Sequence, residues 1–127
     1  MKIIKFLLSI LVSCIIFASC NTMPSDISSA HYTYAQKAIE IVDEYLDFNI
    51  TVEEAYEKIS ELHEREETLP DTDYDDPTHA NDFSIEATVS IIDFNLFQLK
   101  LDPSSDEQSE LLENRNELAE LIGAKKK

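Results

Sequence analysis

Apolar residues recur at three- and four-residue steps along most of the chain, which is the spacing of amphipathic helices. A first helix is predicted over residues 30–47, and a second begins at Thr51, which forms a capping box with Glu54. The apolar stripes of these two helices are Ala35, Ala38, Ile39, Val42, Tyr45 and Leu46, and Val52, Ala55, Tyr56, Ile59 and Leu62. The short link between the helices predicts an antiparallel hairpin.

A further helix is predicted after Pro103, with Ser105 and Gln108 as a second capping-box pair. Its core positions are Leu111, Leu118, Ala119 and Ile122. Gly123 stands where a left-handed C-terminal cap belongs, and three lysines follow it. This helix would close a second hairpin with the segment before it.

The segment 83–102 is the most apolar part of the chain after residue 29 and is predicted as a helix. A strand is the alternative, because apolar residues alternate from Phe83 to Ile91. The alternation fails at Ile91 and Ile92, and the stretch is long for a strand, so the helix is favoured. Together the segments predict an all-α fold, a small four-helix bundle made of two hairpins within residues 30–124.

The predicted helix over 83–102 carries two apolar faces. One is a heptad-like seam of Ile85, Val89, Ile92, Leu96 and Leu99. The other carries Ala87, Ile91, Phe94 and Leu101, with Phe97 at its edge. A polar line of Glu86, Asp93 and Lys100 lies between them. Either this helix lies centrally among the others, or Ile91, Phe94 and Leu101 form an exposed partner-binding patch.

Residues 1–19 have the order of a secretory signal. A short basic start, Met1–Lys5, precedes an apolar run, Phe6–Phe17, and two small residues. The run is shorter than the roughly 20 apolar residues that a membrane-spanning helix needs. A cleaved signal is therefore favoured over an uncleaved membrane anchor.

The sequence Phe17-Ala18-Ser19-Cys20 resembles the lipobox of bacterial lipoproteins, although that family usually has Leu where Phe17 stands. In that family the cysteine receives a diacylglyceryl group, and signal peptidase II cuts just before it. The resemblance implies a lipidated Cys20, a tether over 20–29 and a place on the extracytoplasmic face of a bacterial cell membrane. Cys14, in Leu11-Val12-Ser13-Cys14, is the alternative, but it leaves only about seven apolar residues before the cut.

The charge of the chain excludes some partners. The net charge is −16. Removal of residues 1–19 takes away Lys2 and Lys5 and no acidic residue, which leaves 8 basic and 26 acidic residues and a net charge of −18. This charge repels nucleic-acid phosphates and anionic lipid headgroups, so nucleic acid is not an expected partner. Attachment to a membrane would have to be covalent or hydrophobic.

An acidic loop is predicted over residues 67–82. Its last twelve residues resemble an EF-hand calcium loop, with acids at positions 1, 3, 5 and 12, namely Asp71, Asp73, Asp75 and Asp82. The segment departs from that motif at Asp76, where glycine permits the turn, at Thr78, which replaces an apolar residue, and at Asp82, which replaces a longer glutamate. The alternatives are a weak calcium site and a solvated linker.

The sequence predicts neither an enzyme nor a resident cofactor. Removal of Cys14 and lipidation of Cys20 would leave no thiol, and no glycine-rich phosphate loop or nucleophile motif is found. His63 and Glu67 have the i, i+4 spacing of a metal-ligand pair, but the same spacing suits a surface ion pair.

Residues 35–62 resemble helical-hairpin repeats in small lipoproteins of Gram-positive bacteria and their phages. The resemblance is one of style and assigns no functional residue. It fits a lipid-anchored module that binds another protein, such as an envelope component. One version is a phage-derived exclusion lipoprotein that obstructs DNA entry, and the alternative is a calcium-binding surface lipoprotein.

Overall fold

The computed structural model describes residues 22–127, so the predicted signal peptide, Cys14 and Cys20 lie outside the described residues. The described chain forms four helices and one short 3-10 turn, in the order α1 Ser29–Leu46, α2 Val52–Glu64, the turn Arg65–Thr68, α3 His79–Leu101 and α4 Ser105–Leu121. Residues 22–127 contain no strand. The all-α prediction is therefore confirmed, and the strand alternative for the third segment is wrong.

The helices follow an up-down order, and side-chain bonds fix their directions. Ser60 of α2 donates to Asp93 of α3 at 3.0 Å, and Tyr45 of α1 donates to Gln108 of α4 at 2.8 Å. Tyr56, one turn before Ser60, contacts Phe97, one turn after Asp93, so α2 and α3 run antiparallel. Asp43, two residues before Tyr45, bonds to Arg115, seven residues after Gln108, so α1 and α4 run antiparallel as well. α3 therefore packs between α2 and α4, with α1 diagonally across the bundle.

The core consists of the predicted stripes. All five residues of the α3 seam are buried, as are the four predicted core positions of α4. Tyr45, Leu46, Val52 and Tyr56 lie at the edge of the core and are partly buried. Each fully buried Leu or Ile contributes roughly 1.5–3 kcal/mol relative to exposure, so this seam accounts for the position of α3 without any second apolar face.

Three helix starts are capped by hydroxyl side chains, and at α1 the Ser28 Oγ accepts from His31 N–H at 3.3 Å. Glu54 N–H donates to Thr51 Oγ1 at 3.2 Å and Thr51 N–H donates to Glu54 Oε2 at 3.1 Å, which confirms the predicted capping box. The predicted cap of α4 at Ser105 is wrong by one residue. Ser104 has the extended backbone of a cap, and its Oγ accepts from Glu107 N–H at 3.2 Å.

Two helix ends turn through the left-handed region. Gly123 has a φ of +70°, and Ala124 N–H donates to Ala119 O at 2.7 Å, as expected for a glycine cap after α4. At the end of α1 the same role falls to Phe48, with a φ of 60°. Its side chain is 93% exposed and therefore gains little from packing. Its backbone has a conformation that favours glycine.

α3 begins at His79, four residues before the predicted start, so the end of the predicted acidic loop is helical. The domain also extends into the predicted tether, because Ile27 is buried in the core. Ser28 N–H donates to Asp82 Oδ1 at 2.9 Å, and the Asn81 amide donates to Asp26 Oδ2 at 2.7 Å. These bonds hold residues 26–28 against the first turn of α3.

Candidate functional site

The second apolar face of α3 is exposed. It contains Phe83, Ala87, Ser90, Ile91, Phe94, Phe97 and Leu101, and these seven residues are named the outer strip here. Phe83, Phe94 and Leu101 are 65%, 57% and 64% exposed, although each is a large apolar side chain. Of the two sequence alternatives, the structure therefore shows the exposed face and not a central helix.

The outer strip extends for most of the helix. Phe83, Ala87, Ser90, Phe94, Phe97 and Leu101 follow alternating steps of four and three residues, which is the spacing of a coiled-coil seam. From Phe83 to Leu101 this row is about 27 Å long at 1.5 Å per residue. α3 thus has one seam that packs into the bundle and a second, outward one of the same period.

A groove accompanies the middle of the outer strip. Its volume is about 350 Å³, and it is lined by Tyr56, Ser90, Asp93, Phe94 and Phe97. The rings of Tyr56 and Phe97 lie 5.8 Å apart between centroids, so α2 forms one wall of the groove. An apolar side chain of a partner can rest against both Tyr56 and Phe97 in this open groove.

The predicted polar line lies between the buried seam and the outer strip, and each of its members contacts another side chain. Asp93 accepts from Ser60 and lies 2.9 Å from His63 Nδ1. Lys100 Nζ lies 4.9 Å from the centre of the Tyr56 ring. The third member, Glu86, lies 2.6 Å from the ring of His31. The line therefore fixes α3 relative to α1 and α2.

His31 was not singled out by the sequence, yet it is 1% exposed and joins three segments. Its Nδ1 lies 2.6 Å from Ser28 Oγ and its Nε2 lies 2.6 Å from Glu86 Oε1. Asp82 Oδ2 is 3.5 Å from Nδ1 and makes no hydrogen bond. Asp82 and Glu86 lie 51 and 55 residues after His31 in sequence, so no local pattern indicates these two neighbours.

His63 does not form the predicted pair with Glu67. His63 contacts Glu66 at 3.2 Å and Asp93 at 2.9 Å, and no such contact joins it to Glu67 among the described residues. Glu66 also accepts from the hydroxyl of Tyr34 at 3.4 Å. Burial, followed by the charge of Glu66, raises the pKa of Tyr34 above its usual 10.0. This cluster therefore links α1, α2 and α3.

The aspartate loop does not have the arrangement of an EF-hand. Asp82 belongs to the first turn of α3, is buried and bonds to Ser28, while Asp71, Asp73 and Asp75 are exposed in the preceding loop. Within residues 22–127, no cluster of three or more His, Cys, Asp or Glu residues is arranged to hold a metal ion. The four predicted carboxylates are thus divided between a solvated loop and a buried helix start.

Asp76 takes the local role that a turn requires. Its Oδ1 accepts from the backbone N–H of Thr78 at 2.8 Å and from the Thr78 hydroxyl at 2.9 Å. The backbone bond is the largest cause of a lowered Asp76 pKa, since it favours the charged carboxylate. Asp76 therefore closes the turn before α3 without the glycine that the EF-hand motif has at this position.

None of the helices within residues 22–127 combines the length and apolar character that a membrane span requires. No protein-family model, curated protein or solved structure matches the chain.

Proposed function

We propose that this protein is a non-catalytic, lipid-anchored module on the extracytoplasmic face of a bacterial membrane, and that its outer strip binds another protein. The observation that supports binding is the exposure of Phe83, Phe94 and Leu101 in a chain whose residues are 28% charged. The five large apolar side chains of the strip present on the order of 500 Å² to solvent, if an exposed Phe counts about 200 Å². Typical monomers expose a largest apolar patch of about 300–600 Å², and such patches are often functional.

Packing within the bundle does not account for Phe83, Phe94 and Leu101, although Phe97 packs on Tyr56. The buried seam from Ile85 to Leu99 already positions α3, and the outer strip faces away from it. An exposed phenylalanine gains nothing from the hydrophobic effect until another surface covers it. We therefore expect the strip to contribute to binding another molecule rather than to folding.

The proposed anchor is a lipid on Cys20. The tether is short, because the buried Ile27 is only seven residues after Cys20. An extended segment of that length spans at most about 25 Å. The lipid would hold the bundle close to the membrane surface, where its acidic residues repel anionic headgroups.

Photo-crosslinking in the native host tests the binding surface. A photoreactive phenylalanine analogue replaces Phe94, and a matched variant carries it at Tyr74, which is equally aromatic, 88% exposed and outside the strip. We expect a discrete protein adduct from position 94 and none from position 74. Absence of the adduct at 94, or the same adduct at both positions, contradicts the proposed surface.

Labelling with a clickable palmitate analogue tests the anchor separately. Cys20→Ala should abolish both incorporation and membrane partitioning, whereas Cys14→Ala should leave both unchanged. Labelling that survives Cys20→Ala contradicts an anchor at that residue, and the result is independent of the crosslinking.

A further inference from the structure

The outer strip lies between two rows of acidic side chains. On α2 the row is Glu53, Glu57 and Glu64, and on α4 it is Asp106, Glu110, Glu113 and Glu117. All seven are exposed, and neither row contains a lysine or arginine. The strip itself contains no charged residue. Exposed Lys100 stands on the α2 side, over the Tyr56 ring. The surface is otherwise an apolar strip between two rows of carboxylates.

Contacts with α3 place these rows on opposite sides of the strip. Tyr56, adjacent in sequence to Glu57, packs against Phe97 on the α2 side. On the α4 side, Asn95 of α3 donates to Glu110 at 3.5 Å. Glu117 lies seven residues after Glu110 and so shares its face of α4. A ligand lying along the strip would have carboxylates on both sides.

We infer that the outer strip binds a basic amphipathic helix of another protein, with an apolar seam of heptad spacing and lysine or arginine on both flanks. This inference rests on the proposed function and names the class of partner. The strip is about 27 Å long, which matches a partner helix of about 18 residues. Apolar side chains of that helix enter the groove beside Tyr56, and its basic flanks face the acidic rows.

Charge decides between this partner and the two other occupants of an apolar face. A second copy has a net charge of −16 and would bring the same acidic rows against each other. An anionic lipid surface would meet both rows with like charge. The exposed apolar area of about 500 Å² is more than half of the roughly 800 Å² that each partner buries in a standard interface, and the acidic rows would supply part of the polar remainder.

Two synthetic peptides test the inference against the full chain in nanodiscs of neutral phosphatidylcholine. Each peptide has about 18 residues and the same leucine seam, and the flanking positions are lysine in one and glutamate in the other. Fluorescence anisotropy should show at least about tenfold tighter binding of the lysine peptide, and the difference should shrink as salt rises. Equal affinity for the two peptides, or binding of neither, overturns the inference.

Protein variants show whether the peptide lies on the strip. Phe94→Ser should remove most of the binding. Glu113→Gln/Glu117→Gln should weaken it roughly three- to tenfold. The matched change of two exposed acids outside the rows, Glu40→Gln/Glu61→Gln, should not, because both line a separate pocket between α1 and α2. Equal weakening by both double variants would indicate attraction to net charge alone and overturns the inference.

Two further measurements address the other occupants. Sedimentation of the full chain should show no dimer that Phe94→Ser removes, and the photoreactive analogue at position 94 should form no lipid adduct when anionic lipid is added to the nanodisc. Either result to the contrary overturns the inference. Crosslinking at position 94 to a protein that has no basic helix also overturns it, yet leaves the proposed function standing.

Discussion

Arg115 and Asp43 form a two-pronged ion pair between α4 and α1. Arg115 Nε donates to Asp43 Oδ1 and Nη2 donates to Oδ2, both at 2.8 Å, and Arg115 is 5% exposed. Its Nη1 also donates to the carbonyl oxygen of Lys125 at 2.7 Å. With Asn116 Oδ1, which accepts from Nη1 at 3.2 Å, the buried guanidinium has four acceptors and joins two helices to the C-terminal residues.

Replacing Arg115 by Met should therefore destabilise the domain by about 3 kcal/mol, because it leaves Asp43 and the Lys125 carbonyl without their donor. Urea unfolding followed by circular dichroism measures the loss. The double variant Arg115→Met/Asp43→Leu should recover much of it, since both charges are then absent. A single variant within about 0.5 kcal/mol of the wild type, the usual range for an ordinary surface site, would show that the pair contributes little.

The start of α4 gives a matched pair of serines. Ser104→Ala should cost about 1 kcal/mol, because it removes the acceptor for Glu107 N–H. Ser105→Ala should be nearly neutral, since Ser105 is an exposed residue of the first helical turn. The two free energies of unfolding test the cap directly. A larger loss at Ser105 would restore the cap that the sequence predicts.

This example shows why helix periods were predictable and some boundaries were not. Apolar residues report the buried face of a helix, so the stripes of α1 and α2 and the seam of α3 followed from sequence. Ser104 and Ser105 each have a hydroxyl that can accept a hydrogen bond, and each stands three residues before a Glu or Gln. The backbone conformation decides which of the two serines is the cap. The local pattern cannot contain that information.

The start of α3 and the outer strip were less predictable for a different reason. Asp82 was interpreted as a loop residue because its neighbours are acidic, but its partner is Ser28, 54 residues away. The two apolar faces of α3 were visible in sequence, whereas the exposure of the second face was left open. Whether that face is covered depends on how the other helices pack, and that is a property of the whole bundle.

Exposure at Phe94 predicts a clear contrast in stability. Phe94→Ser should change the free energy of unfolding by less than about 1 kcal/mol, because most of the ring is already in water. Leu96→Ala, two residues along on the buried seam, should cost about 2–5 kcal/mol. Thermal and urea unfolding of the two variants test this. A large loss at Phe94 would mean that the strip is packed in solution.

Tyr34 predicts a pH dependence in the alkaline range. Burial and Glu66 raise its pKa above 10.0, so above about pH 10 the unfolded chain releases this proton while the folded domain retains it. The contribution of Tyr34 is present below that pH and is lost as pH rises, by up to about 1.4 kcal/mol per unit.

Tyr34→Phe cannot titrate at this position and is the control. The stability difference between wild type and Tyr34→Phe, measured by urea unfolding, should be constant from pH 7 to about 9 and should then shift in favour of the variant. A difference that stays constant to about pH 11 would contradict the raised pKa.

Phe48 predicts a gain of stability. Phe48→Gly should stabilise the domain by about 0.5–1 kcal/mol, because the left-handed backbone at this position is strained for a residue with a Cβ. Phe48→Ala retains the Cβ and should be nearly neutral, since the ring is almost fully exposed. Equal effects of glycine and alanine in unfolding experiments would assign the change to the ring and not to the backbone.

The bonds from Asp26 and Ser28 to α3 determine how the domain responds to mechanical load. A pull on the chain before residue 26 reaches Asn81 and Asp82 as well as α1, because side chains join these segments. Unfolding of the first turn of α1 would expose His31 and the preceding Ile27, which are both buried, so this turn resists unfolding on its own. The force is instead divided between α1 and α3, which lie diagonally across the bundle. The N-terminal end of the domain is therefore held at two helices rather than one.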